Sequence, residues 1–191
     1  MRIDHVIAKS ILDTRGRPTI ETTLDAGGLN ATASVPSGKS TGEHEAVELD
    51  AAVAIENVTG EIADVIVGRD FNSLDELDSF LIELDGTPNK SRLGANALLS
   101  VSIAAQRLAA LQENIPLWSA IANRAGTTPS TPPRLFVNVM NGGVHAGFKL
   151  PFQEYMLVIE GETSTALPVA QKAFAKLGEL LWTSDIHGSR G

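Results

Sequence analysis

Cysteine does not occur in this 191-residue sequence, which excludes disulfides, zinc–thiolate sites and cysteine nucleophiles and is compatible with a reducing compartment. Basic residues are also scarce, since 15 Lys and Arg stand against 23 Asp and Glu and leave a formal net charge of −8. That charge argues against a surface that binds a phosphate backbone, so nucleic acid is not an expected partner. The sequence also lacks a signal-peptide run and an uncharged stretch of membrane-spanning length. We therefore expect a cytoplasmic protein with no membrane partner.

The first third of the chain carries the pattern of a small antiparallel sheet. The first segment has apolar residues among polar neighbours, at Ile3, Val6, Ile7, Ile11 and Leu12. The segments Thr19–Leu24 and Leu29–Val35 are rich in Thr, Ile, Val and Ala. A glycine pair ends the short sequence Asp25-Ala-Gly-Gly28 between the last two segments. This pattern predicts three antiparallel strands, the last two joined by a tight hairpin.

Helical periodicity begins near Ala46 and continues to the middle of the chain. Ser73 and Glu76 have the spacing of a capping box, and Asn96–Asn114 is apolar over most of a helical circumference, which predicts a buried helix. Pro116 suits the first turn of a further short helix that reaches Ala122. Strands followed by helices predict an α+β domain.

The composition changes at residues 126–133, where Gly, Thr, Ser and Pro predominate and a linker is predicted. Beyond it we expect strands at Leu135–Met140 and Phe152–Ile159 and a helix at Thr165–Leu181. The predicted organisation is thus an α+β domain over 1–125, a linker over 126–133 and an incomplete second domain over 134–191. Two strands and one helix are too few to close a sheet or barrel alone.

The segment Ala33–Ser40 fits a relaxed Walker A motif and raises the alternative of a P-loop NTPase. That site needs a helix that opens directly at the Lys-Ser pair, so that backbone N–H groups face the phosphates. Here Gly42 interrupts the position of that helix, and Pro36 removes a donor. The candidate Walker B stretch, Phe80–Asp85, has helical rather than strand periodicity, so the NTPase hypothesis is the weaker one.

The segment Asn138–Met156 reads as a functional loop between the two later strands. It contains a glycine pair followed by His145, and farther along Gln153 and Glu154. Glycines let a loop adopt positive φ and let a ligand approach the backbone, and the three polar side chains can converge there. The pattern predicts a site for a small polar ligand.

Four motifs together resemble enolase. Asp13–Thr19 reads D-T-R-G-R-P-T, close to the D-S-R-G-N-P-T of that family, where it supports interfaces between domains and subunits. Val35–Gly42 contains S-G-x-S-T-G, and Leu84–Ala97 matches the family's L-D-G-T-x-N-K-S-x-L-G-A-N-A almost position for position. The loop Asn138–Met156 supplies the fourth motif.

The resemblance runs from Ile3 to about Leu181 and implies an enolase-like α+β capping domain followed by the truncated start of a TIM-like α/β barrel. It implies a carbon–oxygen lyase of glycolysis that converts 2-phosphoglycerate to phosphoenolpyruvate. In that family two magnesium ions (Mg2+) bind the substrate carboxylate, a lysine is the base and a glutamate is the general acid. A complete member is expected to be a homodimer.

The resemblance also assigns roles to residues of this chain. Ser40 would ligate the second magnesium ion when the lid closes, while His145 moves toward the substrate and Gln153 contacts it. Glu154 would lie near the departing hydroxyl group, which makes His145 and Glu154 the expected catalytic residues. All three of these loop residues are expected to bind substrate. The lid itself is the loop formed by Ser37, Gly38, Lys39, Ser40 and Thr41.

The sequence departs from the family pattern in ways that bear on activity. The stretch after Glu48 is short, Lys39 replaces a small lid residue, and Val144 and Pro151 alter the later loop. The barrel's acidic metal ligands, its base lysine, its G-D-E-G-G motif and its phosphate-binding residues do not occur in the 191 residues. We therefore expect the isolated chain to be inactive, and its C-terminal part to be poorly ordered or aggregation-prone until a C-terminal half in trans completes it. The alternative is a non-catalytic fragment, or half of a split enzyme, that acts as an interaction module.

Overall fold

The structure is a computed structural model that describes residues 1–38, 42–129, 131 and 133–183. The chain divides into two compact units, here called the N-terminal unit (Met1–Thr128) and the C-terminal unit (Pro129–Gly191). The division falls inside the stretch where a linker is predicted. No helix of the described residues is long and apolar enough to cross a membrane.

A three-stranded antiparallel sheet opens the N-terminal unit, as predicted. Its strands are β1 (His5–Leu12), β2 (Pro18–Ala26) and β3 (Leu29–Val35), in the order β1-β2-β3. The hairpin between β2 and β3 turns at Gly27 and Gly28, which have φ of +59° and +80°. Two successive positive φ angles favour glycine strongly, so the glycine pair fixes the register of the hairpin.

The longest helix of this unit packs across the sheet. Helix α4 (Ala95–Gln112) buries small and branched side chains against β2 and β3, and the Ser100 hydroxyl shares a buried 2.7 Å hydrogen bond with that of Thr22. Alanines on the buried face let the helix approach the strands closely. The predicted burial holds for most of the circumference, but Leu99 and Leu111 are about half exposed.

Helical structure after the sheet begins later than the periodicity indicates. Helix α1 (Ala51–Asn57) continues through a π-helical stretch (Val58–Ile62) into α2 (Ala63–Ile66). The prediction of a helix from about Ala46 is wrong because the preceding backbone is bonded elsewhere. The amide of Val47 donates to the Asn89 carbonyl, and the Val47 carbonyl accepts from the Ala95 amide, both at 2.8 Å.

Side chains hold the rest of that irregular stretch. Asn96 accepts a hydrogen bond from the Leu49 amide at 3.2 Å and donates one to the Leu49 carbonyl at 2.9 Å. The next residue, Asp50, accepts from the Ala52 amide at 2.9 Å and so caps α1. In the shortened stretch after Glu48, the Asn96 side chain therefore fixes the backbone of Leu49, and the capped helix α1 follows directly.

Helix α3 (Leu74–Asp85) begins at the predicted capping box. The Ser73 hydroxyl accepts from the Glu76 amide at 3.1 Å, while the Glu76 carboxylate accepts from the Asn72 amide at 2.8 Å rather than from that of Ser73. Helix α5 (Leu117–Arg124) follows Pro116 as expected. Its last residue, Arg124, forms ion pairs with two aspartates of α3, Asp75 at 2.5 Å and Asp78 at 2.8 Å.

A buried carboxylate organises the loop between α3 and α4. Asp85 is 1% exposed and accepts from the amides of Leu93 at 2.7 Å and Thr87 at 3.0 Å, and from the Thr87 hydroxyl. Burial by itself raises the pKa of Asp85, but the donors from Leu93, Thr87 and Arg92 outweigh it and lower the pKa overall. The charged carboxylate thus fixes a loop that has no regular secondary structure.

The described residues of the C-terminal unit form a β-hairpin and a helix. Strands β4 (Leu135–Asn141) and β5 (Glu154–Ile159) pair antiparallel, and helix α6 (Thr163–Thr183) packs on them. These elements confirm the predicted strands and helix. Neighbouring strands of a TIM barrel are parallel, so the hairpin does not by itself show the start of such a barrel, which stays a prediction.

The replacement Asp85→Ala should destabilise the N-terminal unit by about 2–4 kcal/mol, because it leaves buried amide donors without an acceptor. Urea unfolding measures the free energy. Asp64→Ala, at an exposed position of α2, is the matched control and should change it by less than about 0.5 kcal/mol. Equal effects of the two replacements would contradict the role given to Asp85.

Candidate functional site

The loop between β4 and β5 begins at a glycine that no other residue can replace without movement of the backbone. A Cβ atom on Gly142 would collide with the Phe152 carbonyl oxygen and lie 2.7 Å from the Leu150 Cβ. The Gly142 amide donates to the Gln153 carbonyl at 2.9 Å, and the Gly143 amide donates to the Leu150 carbonyl at the same distance. The two ends of the loop are therefore bonded together at its base.

A short 3-10 turn, Gly143–Ala146, carries His145. Gly143 has φ of +55°, and a Cβ there would lie 3.4 Å from the Gln153 Cα, so the turn packs directly on the backbone of Gln153. Glu154 is the first residue of β5 and lies opposite Asn141. The structure thus gathers His145, Gln153 and Glu154 at one end of the hairpin, where the sequence predicts a site.

The three polar side chains differ in exposure. Gln153 and Glu154 are exposed and His145 is partly buried, while the flanking Phe148 and Phe152 present large exposed rings. An imidazole, a carboxamide and a carboxylate at one open end can bind a small polar ligand and can accept or donate a proton. The roles of the three residues remain predictions.

An amide pair at the end of β4 belongs to the same site and was not predicted from the sequence. The Asn138 Nδ2 donates to the Asn141 Oδ1 at 2.7 Å, and the Asn138 Oδ1 is buried with no hydrogen-bond partner among the described residues. A β-bulge between Asn138 and Met140 brings these two side chains together. An irregularity of this kind leaves no signal in the alternation of apolar residues.

The predicted lid is described only at its first residues. Ser37 and Gly38 are described, whereas Lys39, Ser40 and Thr41, and with them the predicted metal role of Ser40, lie outside the described residues. The Ser37 carbonyl accepts from the Arg15 guanidinium at 2.5 Å, and the Ser37 hydroxyl donates to Glu48 at 2.8 Å. Both partners of Ser37 are distant in sequence, and no local pattern indicated them.

Arg15 belongs to the turn predicted at Asp13–Thr19. The Asp13 Oδ1 accepts from the amides of Arg15 at 2.8 Å and Arg17 at 2.9 Å, while its Oδ2 contacts both guanidinium groups. These contacts, chiefly the hydrogen bond from the Arg17 amide, lower the pKa of Asp13 to about 2. The turn is therefore held by a carboxylate that stays charged at neutral pH.

The described residues do not support the P-loop alternative. Residues 42–50 form no helix, and α1 begins only at Ala51. The candidate Walker B stretch is part of α3, and its Asp85 is occupied by the loop contacts described above. Across 1–38, 42–129, 131 and 133–183 no group of three or more His, Asp or Glu side chains is placed to hold a metal ion.

Comparison with known protein families gives a match within the N-terminal unit. The family model described as "Enolase, N-terminal domain" matches residues 3–121. The matched range covers the three-stranded sheet and the helices from α1 to α4, and it ends within α5.

Gly142→Ala should disrupt the hairpin, because the added methyl group meets the Phe152 carbonyl and the Leu150 side chain. Amide chemical shifts of β4 and β5 report the loss. Gly147→Ala is the control in the same loop, since Gly147 has φ of +59° but open space around it, and strain there should cost only about 1–2 kcal/mol. Native shifts in the Gly142 variant would contradict the proposed packing.

The depressed pKa of Asp13 predicts a pH dependence of its turn. A carboxyl group whose folded pKa is lowered contributes stability above its unfolded value of about 3.9 and loses it as the pH falls to about 2. A carboxyl 13C titration of Asp13 should give a midpoint near 2. A midpoint near 4, the reference value of an aspartate side chain, would contradict the hydrogen-bonded turn.

Proposed function

The chain belongs to the enolase family through its N-terminal domain, and from that premise we propose that it supplies part of a site that dehydrates 2-phosphoglycerate to phosphoenolpyruvate. The observation that carries the proposal is the packing of the loop between β4 and β5, which brings His145, Gln153 and Glu154 to one end of the hairpin. The enzyme class would be that of a phosphopyruvate hydratase acting in glycolysis, and the cytoplasm is the corresponding location.

Each loop residue has a proposed task in that reaction. The Gln153 amide would hydrogen-bond the substrate, and the Glu154 carboxyl would hold the proton exchanged with the departing hydroxyl group. His145, on a turn bordered by Gly143 and Gly147, would approach the charged substrate. Exposure of Gln153 and Glu154 supports these tasks because substrate needs access to both.

The proposed cofactor is a pair of magnesium ions, which would neutralise the enolate that forms next to the substrate carboxylate. Ser40 would contribute one oxygen ligand from the lid of residues 37–41. Since the described residues gather no ligand set of their own, the main ligands would come from a barrel segment outside these 191 residues.

The hairpin itself supports the need for a completing partner. Helix α6 covers one face, whereas Phe136, Met156 and Val158 on the other face are 57%, 49% and 47% exposed. Apolar surface left in water costs roughly 25 cal/mol for each Å². Strands that are apolar on both faces are typical of sheets covered on both sides.

We propose that the partner is the remainder of an enolase barrel, supplied in trans, and that the completed assembly is a homodimer. The second candidate function is a non-catalytic interaction module, favoured by the same uncovered face. The two candidates differ in whether the completed assembly turns over 2-phosphoglycerate.

The test is coupled turnover of 2-phosphoglycerate with magnesium, by the chain alone and after addition of the C-terminal half of an enolase barrel. The chain alone should be inactive, and the mixture should gain magnesium-dependent activity. Glu154→Gln should lower that activity about a hundredfold, because it removes the proton-exchanging carboxyl group. The control is Glu160→Gln, which alters an exposed residue beyond β5.

Turnover by the chain alone at an ordinary enzyme rate would overturn the half-site proposal. An unaltered rate in the Glu154 variant would remove the proposed task of that residue. Binding of the barrel half without any activity would favour the interaction module.

A further inference from the structure

The sequence contains a single Asn–Gly dipeptide, Asn141–Gly142, and it lies at the base of the candidate site. Asparagine is chemically labile, and it is most labile before glycine, because no Cβ atom hinders attack of the next backbone nitrogen on the side-chain amide. In an open peptide this dipeptide would be the chain's fastest position for such a reaction.

The folded hairpin restrains both reacting groups. The Gly142 amide, which would be the nucleophile, donates its hydrogen to the Gln153 carbonyl at 2.9 Å, and Gly142 is buried. The side-chain oxygen of Asn141 accepts from the Asn138 Nδ2 at 2.7 Å. Asn141 is also an extended residue paired with Glu154, which keeps its side-chain carbon away from the following nitrogen.

This restraint lasts only while the hairpin is closed. Asn141 belongs to the last residue pair of a two-stranded sheet, and two-stranded sheets are marginal when little covers them. Helix α6 packs on one face, and the exposed Phe136, Met156 and Val158 mark the other face as uncovered. Local opening of the hairpin would release the amide and the side chain together.

We propose that Asn141–Gly142 is a site of spontaneous deamidation and isoaspartate formation, gated by opening of the β4–β5 hairpin. The Gly142 nitrogen bonds to the Asn141 side-chain carbon, the carbon–nitrogen bond of the side-chain amide breaks, and ammonia leaves with the proton from the Gly142 nitrogen. Water then opens the succinimide ring. The hydroxyl group of that water bonds to one of the two ring carbonyl carbons, the bond from that carbon to the Gly142 nitrogen breaks, and the remaining proton of the water goes to this nitrogen. The product is aspartate or isoaspartate, depending on which carbonyl carbon reacts.

The product would alter the site in two ways. A new carboxylate would face Glu154 across the strand pair, and like charges directly opposite each other destabilise a sheet. Isoaspartate also lengthens the backbone by one carbon, which displaces the glycine from the pocket formed by Leu150 and Phe152. The proposal does not depend on the proposed function.

The experiment incubates the full 191-residue chain at neutral pH, with and without urea, beside a synthetic peptide of residues 136–153. Peptide mass spectrometry and isoaspartyl methyltransferase labelling measure the product at position 141. The folded chain should react at least about tenfold more slowly than the peptide, and urea should bring its rate to that of the peptide. Asn138, which precedes a valine in the same fragment, is the internal control.

Replacements of two neighbouring residues on opposite faces of β5 test whether hairpin opening controls the reaction. Leu157→Ala removes a partly buried side chain on the face toward α6 and should accelerate the reaction, even if it unfolds the hairpin completely. Val158→Ala removes an exposed side chain and should leave the rate nearly unchanged. A folded chain as reactive as the peptide would contradict the control of the reaction by hairpin opening. Absence of product at Asn141 in urea would contradict the assignment of Asn141 as a deamidation site.

Discussion

The Asp85 carboxylate is the constraint on which the irregular half of the N-terminal unit depends. It gathers the donors of Thr87 and Leu93 and so fixes the loop that leads into α4. The position of that loop places Asn96, whose side chain bonds both backbone groups of Leu49. A buried polar group is stable only when its partners are complete, so the loop and the stretch before α1 form one connected network.

Elements that depend on neighbours in sequence are predicted well, and those that depend on distant partners are predicted poorly. The β2–β3 hairpin and the start of α3 depend on neighbours in sequence, a glycine pair and a Ser/Glu capping pair, and both predictions are confirmed. The start of α1 was misplaced because Val47 is held by Asn89 and Ala95, which lie more than forty residues away. Periodicity reports the face that a residue prefers and does not report such distant backbone partners.

The candidate site likewise has features that the sequence indicates and features that only the fold reveals. A glycine pair followed by a histidine and a Gln-Glu pair indicated the loop, because those residue types suit an open ligand site. The reason for the glycines became visible only in the folded loop, where the Phe152 carbonyl and Leu150 occupy the space a side chain at Gly142 would need. The Asn138–Asn141 amide pair depends on a bulge and could not be anticipated. The enolase-family N-terminal domain, in contrast, is recognisable from three short motifs that lie within the matched residues.

The function proposed above requires the loop between β4 and β5 to contact a small phosphorylated acid when a barrel partner is present. The most direct measurement is an amide spectrum of isotope-labelled chain, mixed with magnesium and the barrel half, during titration with phosphoenolpyruvate. We expect the largest shifts at Gly143, His145 and Gln153, and no such shifts without the barrel half. Catalytically active mixtures in which those three amides do not respond would contradict it.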